Sequence, residues 1–255
     1  CDRQNQKPIS DGLMNILITG ATSGIGYQLA QDYAKQGHTV IACGRNQEAL
    51  DELADIDRDN IQTLRFDITD IENTKQALAD IERVDLAILS AGMCEYLDVK
   101  QFDAGMFERV FRVNVFGTMN TVEALLPIMP EGSKLVIVGS LARLLPFTKA
   151  QAYGGSKAAI QYITRTLEVD LKEAYGIDVL GVSPGFVKTP MTDANDFEMP
   201  MRVSVEFASK AIRKGIEKGK RDIGFPALFS GMLRVMSLLP QGMQIALSRR
   251  MAKNS

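Results

Sequence analysis

The chain is poor in the residues that hold metals and disulfides. Its 255 residues include one histidine, His38, and three cysteines, Cys1, Cys43 and Cys94, widely spaced and without a CxxC pair. A zinc site needs several His, Cys or carboxylate ligands converging on one ion, and a disulfide framework needs an even, patterned set. Neither is expected; no metal is assigned, and the free thiols point to a reducing, cytoplasmic setting. His38 follows Gly37 at an expected helix-to-strand connection and receives no function. Excess charge of one sign is also lacking. With 29 basic and 31 acidic residues the net charge is -2, which gives no electrostatic reason for a nucleic-acid partner. The polar opening CDRQNQKPISDGL has neither the basic start nor the apolar run of a secretory signal. Residues 1–13 are read as an appended or misread leader, with Met14 as the expected natural start.

What is present is ordinary globular material, 45% hydrophobic and 24% charged, enough for a full core. Apolar, β-branched runs at 15–19, 39–43, 61–66, 84–90, 134–139, 177–182 and 221–225 alternate with longer amphipathic stretches. Near-continuous runs such as LVIV at 135–138 predict strands buried on both faces, and the alternation predicts parallel βαβ crossovers. The expected fold class is α/β: a doubly wound, Rossmann-like parallel sheet with helices on both faces, one domain over 14–226. No linker or internal repeat interrupts it. A helical extension over 227–255 follows, apolar at Leu228, Phe229, Met232, Leu233, Val235, Met236 and Leu239 and again at Met243, Ile245 and Leu247. Arg234 breaks any bilayer-length run. Packing on the domain or a subunit contact is the favoured reading of this stripe; Arg249, Arg250 and Lys253 beside it keep peripheral membrane contact as the alternative.

Directly after the first apolar run comes TGATSGIG, with Gly20, Gly24 and Gly26, and then a helical segment. A pyrophosphate needs backbone N–H groups aimed at it from a helix N-terminus, and glycines let the chain approach without a Cβ clash. The spacing is GxxxGxG, which matches neither GxGxxG nor the P-loop. At the end of the second strand a carboxylate would select NAD by binding the ribose 2′-hydroxyl. Gly44 stands there instead, followed by Arg45, whose guanidinium suits a 2′-phosphate. NADP(H) is the preferred cofactor, with NAD(H) as the alternative. Further on, YGGSK sets Tyr153 and Lys157 four residues apart on one helix face, where an ammonium would favour a phenolate for proton exchange with a carbonyl oxygen. Ser140 closes the run KLVIVGS at the carboxyl edge of the sheet, and Asn114 sits mid-helix, where asparagine is locally unfavourable.

In spacing and order these marks resemble the short-chain dehydrogenase/reductase family, whose glycine motif is TGxxxGxG and whose catalytic residues are Asn, Ser, Tyr and Lys. The resemblance covers most of residues 14–225. It implies a nicotinamide-dependent oxidoreductase in which Tyr153 is the general acid in reduction and Ser140 polarises the carbonyl. Lys157 would lower the tyrosine pKa and hold the nicotinamide ribose, and Asn114 would kink its helix and support a proton relay. It also implies cofactor contacts from Gly20, Thr22, Ser23, Gly24, Ile25 and Gly26 in the turn, and from Asp67 and Ile68 beside the adenine. Ser90, Ala91 and Gly92 stand in place of a family NAG run, with Ser90 as a departure. Pro184, Gly185, Val187 and Thr189, in SPGFVKTP, belong near the nicotinamide. The stretch beyond Thr189 carries Met191, Phe197, Met199 and Met201, which favours an apolar carbonyl or alcohol substrate. A homodimer or homotetramer is the family expectation. The rival reading is a non-catalytic dinucleotide-sensing or partner-binding module; loss of Tyr153 or Lys157 would have marked it, and both are present.

Overall fold

Seven short runs rich in valine, isoleucine and leucine form strands, and every pairing between them is parallel. They are β1 (Asn15–Thr19), β2 (Thr39–Gly44), β3 (Ile61–Arg65), β4 (Leu86–Leu89), β5 (Lys134–Val138), β6 (Asp178–Pro184) and β7 (Asp222–Phe225). The structure, a computed structural model, describes residues 12–193, 199 and 201–252. Most of residues 1–13, Cys1 included, lies outside the described residues, as do Phe197 and Lys253.

The helices are α1 (Gly24–Ala34), α2 (Gln47–Ile56), α3 (Ile71–Leu78), α4 (Ala104–Phe111), α5 (Thr118–Leu125), α6 (Gln151–Tyr175), α7 (Pro190–Asp193), α8 (Val205–Glu217), α9 (Ala227–Met236) and α10 (Gln241–Ala252). Asn46, Asp70 and Ser204 cap α2, α3 and α8 by accepting backbone N–H bonds. Gly176, at φ +68°, ends α6 in the left-handed conformation that favours glycine.

Alternation along β1 shows how the sheet divides the core: Ile16 and Ile18 face one layer with Leu29 of α1 and Ile212 of α8, while Leu17 faces the other with Leu125 of α5 and Ile160 of α6. Burial on both faces explains why these strands read as unbroken apolar runs. The strand order β3-β2-β1-β4-β5-β6-β7 reverses between β1 and β4. At such a switch point the loops leaving the strand ends diverge and open a crevice. No helix among the described residues is long and apolar enough to cross a membrane.

The expected 84–90 strand shortens to Leu86–Leu89, because the Val84 amide bonds the Ile128 carbonyl and the Asp85 amide bonds Asn15. Asn114 lies in a π-helical segment, Arg112–Gly117, joining α4 to α5. The backbone there makes a wider turn than the α-helices on either side.

Candidate active site

The glycine turn is dictated by backbone approach. Gly20 has φ +67°, and a Cβ on it would stand 2.8 Å from the Ala91 backbone; one on Gly26 would stand 2.3 Å from the Gly20 carbonyl oxygen. The loop after β1 thus lies directly against the loop after β4, and the Ala91 amide donates to Thr19 Oγ1 at 3.3 Å across the gap. At the start of α1 the Ser23 side chain makes no capping bond and the first turn carries no acidic residue. The unpaired N–H groups and the positive end of the helix dipole suit an anion. These features open onto a cleft of about 330 Å³.

Of the catalytic and cofactor residues singled out from the sequence, all but Gly26 and Asn114 line this cleft; of the residues named beyond Thr189, Met191 lines it and Met199 and Met201 do not. Gly26 sits beneath the turn that it allows. Asn114 is buried behind the wall, where Oδ1 accepts the Met93 amide at 2.8 Å and Nδ2 donates to the Met93 carbonyl and to Ser156 Oγ, each at 2.9 Å. Ser156 Oγ donates in turn to the Tyr153 carbonyl at 2.7 Å. Asn114 therefore ties the loop after β4 to the first turn of α6.

At the β2 end of the cleft a Cβ on Gly44 would meet Thr22 Cγ2 at 2.4 Å, so an acidic side chain cannot enter without displacing Thr22. Arg45 is largely exposed and reaches Asp67 at 3.4 Å. Burial raises the Asp67 carboxyl, but hydrogen bonds from the Thr69 amide and hydroxyl, with the Arg45 charge, hold it below the usual carboxylate range. Arg65, which the sequence reading passed over, donates Nε to the Arg45 carbonyl at 3.2 Å. Its signal was a basic residue ending the neighbouring strand.

The other end of the cleft holds the proton chemistry. Ser140 follows β5, accepts the Ala142 amide at 3.0 Å and lines the cleft beside Tyr153. Tyr153 and Lys157 occupy successive turns of α6; the Lys157 ammonium lies 5.8 Å from the phenol ring centroid and donates to the Val138 carbonyl at 2.9 Å. Burial pushes the phenol up to about 12, with the neighbouring Ser140 hydroxyl acting in the opposite direction. Burial also pulls Lys157 down to about 8. The Lys157 ammonium is turned to the Val138 carbonyl, and the contact that partly offsets burial of the phenol comes from Ser140. Met93, Val113 and Met191 add apolar lining.

Below Ser140, Arg143 is buried, its side chain 7% exposed, and donates to Asp222 at 2.9 Å and Ser183 at 3.2 Å. Arg234 of α9 reaches the same Asp222 oxygen at 2.8 Å. The turn capped by Ser140 is therefore joined to β6, β7 and the C-terminal helices. His38 accepts the Met14 amide and leans on Tyr33, outside the cleft lining. No cluster of metal-ligating side chains occurs among the described residues.

The short chain dehydrogenase family model matches residues 14–199. An uncharacterized oxidoreductase of Myxococcus xanthus is 31% identical, covering 92% of this chain and 96% of its own. A serine 3-dehydrogenase of Rhizobium radiobacter is 34% identical over 70% of this chain and 73% of its own. The solved structure of a short-chain dehydrogenase from Sphingobium yanoikuyae in complex with NADPH superposes with a TM-score of 0.75 at 25% identity, covering 90% of this chain and 97% of that one.

Proposed function

The chain belongs to the short-chain dehydrogenase family, and on that footing we propose that it is an NADP(H)-dependent oxidoreductase interconverting a carbonyl and an alcohol, with Tyr153 as the proton-transfer residue. The observation that carries the reading is that Ser140, Tyr153 and, one turn on, Lys157 line the same cleft as the glycine turn.

The residues present fit a dinucleotide. The glycines at 20, 24 and 26 leave room for a pyrophosphate at the N-terminus of α1, with Thr22, Ser23 and Ile25 around it. Asp67 and Ile68 flank the adenine end, and Ser90, Ala91, Gly92, Pro184, Gly185, Val187 and Thr189 line the nicotinamide end. Arg45, exposed and paired among the described residues with Asp67, can exchange that carboxylate for a 2′-phosphate. Thr22, packed over Gly44, blocks the place from which an acid would select NAD(H). The bound cofactor supplies the hydride equivalent.

In reduction, Ser140 donates a hydrogen bond to the carbonyl oxygen and Tyr153 gives its proton to that oxygen as the alcohol forms; in oxidation Tyr153 accepts it back. A phenol held near 12 is protonated at neutral pH, which favours reduction there and makes oxidation rise with pH. Lys157 anchors the nicotinamide ribose, and Asn114 holds the Met93 loop against α6. Met93, Val113 and Met191 support an apolar substrate face.

The test follows NADPH and NADH consumption separately against ketones, aldehydes, quinones and 3-oxo acids, the last prompted by the serine 3-dehydrogenase relative. NADPH should be preferred, and Arg45→Ala should reduce that preference by about tenfold, the value of one charge-assisted contact. Equal use of NADH by the unaltered protein would reject the cofactor assignment. No consumption of either cofactor across the panel would reject the reductase reading.

A further inference from the structure

The C-terminal helices present an apolar surface that the fold leaves uncovered. α9 buries Phe229 and Leu233 against Leu141 and Leu145. Its opposite face carries Leu228, Met232 and Val235, continued by Leu238, at 74%, 47%, 67% and 84% exposure. Their spacing of four, three and three residues places them in one stripe. A helix apolar on both faces is ordinarily buried on both, and here the fold accounts for only one. Met243 and Ile245 of α10 are also exposed.

Charge narrows what covers the stripe. No aspartate or glutamate occurs after Asp222, while Arg234, Arg249, Arg250 and Lys253 do, in a chain whose net charge is -2. Arg234 is held by Asp222. Arg249 and Arg250 are exposed and have no acidic partner among the described residues. A two-fold contact through these helices would bring together two copies of an acid-free, arginine-bearing segment. An anionic lipid surface meets both features, accepting the apolar stripe at the acyl boundary and the arginines among its headgroups. Helices of 10 and 12 residues are too short to cross a bilayer, so the arrangement suits lying on it.

We infer that α9 and α10 dock this enzyme on anionic membrane surfaces. The inference is independent of the substrate and of Tyr153 chemistry, and its test needs no turnover. The intact protein is sedimented with vesicles of phosphatidylcholine alone and of phosphatidylcholine with phosphatidylglycerol, at low and high salt. It should pellet with the anionic vesicles only, and less at high salt. The double change Arg249→Gln, Arg250→Gln should weaken partitioning about thirtyfold, roughly fivefold for each surface cation. Val235→Asp, on the exposed stripe, should weaken it at least about tenfold while leaving NADPH binding and Tm unchanged. Absence of pelleting, or pelleting indifferent to lipid charge and to these changes, would overturn the inference. So would a Val235→Asp protein that sediments as a smaller species in lipid-free buffer, since the stripe would then be a protein interface.

Discussion

Lys157 is held inside the protein with a backbone carbonyl as its hydrogen-bond partner, an arrangement that costs stability and fits a working residue better than a structural one. Its pKa falls from 10.5 to about 8 on burial. Between those values the unfolded chain binds the proton more tightly than the folded one, so this residue's contribution to stability rises with pH across the window and is least favourable below it. Lys157→Met should therefore be the more stable protein at neutral pH, by about 1–3 kcal/mol, with the advantage shrinking towards pH 10.5. Urea denaturation of both proteins at several pH values checks this; a methionine variant less stable at neutral pH contradicts it. At this scale much of the cleft was legible, because Gly20, Ser140, Tyr153 and Lys157 carry their chemistry in spacing along the chain. The reason for Gly44 was not legible. It lies in a through-space contact with Thr22, and nothing in the order of residues brings those two together.

Between elements, buried polar residues set the geometry. Asn114 satisfies both backbone groups of Met93, so Asn114→Ala leaves an amide and a carbonyl without partners and should cost about 2–4 kcal/mol in urea denaturation. Arg143→Ala leaves the partly buried Asp222 with Arg234 as its remaining cation and the Ser183 hydroxyl beside it, and should cost about 3–5 kcal/mol, with a fall in kcat as the turn capped by Ser140 loosens. A change under 1 kcal/mol in either would refute the corresponding account. The strands were legible because sheets covered on both faces demand unbroken apolar runs. The π-helical turn was visible only as an asparagine out of place. Arg143 gave no signal, since an arginine in a loop after a strand reads as a solvated residue until tertiary contacts bury it.

For the molecule as a whole, the extension at 227–255 reads in the sequence as an appendage. The inner face of α9 packs beneath the turn that bears Ser140, in line with the favoured reading of its apolar stripe, and Arg234 helps to neutralise Asp222. We therefore expect that deleting 227–255 lowers Tm and activity together, whereas Leu228→Asp on the outer face changes neither. A truncated protein with full Tm and kcat would show the extension to be separable. Amphipathic spacing revealed that one face of α9 would be covered, but the partner was set by tertiary packing. It could not be read from the helix alone.

The measurement closest to the central claim compares Tyr153→Phe with the unaltered protein in NADPH-driven carbonyl reduction, with Kd for NADPH measured on both. The change removes one hydroxyl and little volume. It should lower kcat by about 100-fold to 10,000-fold while leaving Kd within about twofold. A phenylalanine protein that turns over within tenfold of the original would show that the proton comes from elsewhere, and Tyr153 would lose its place at the centre of the site.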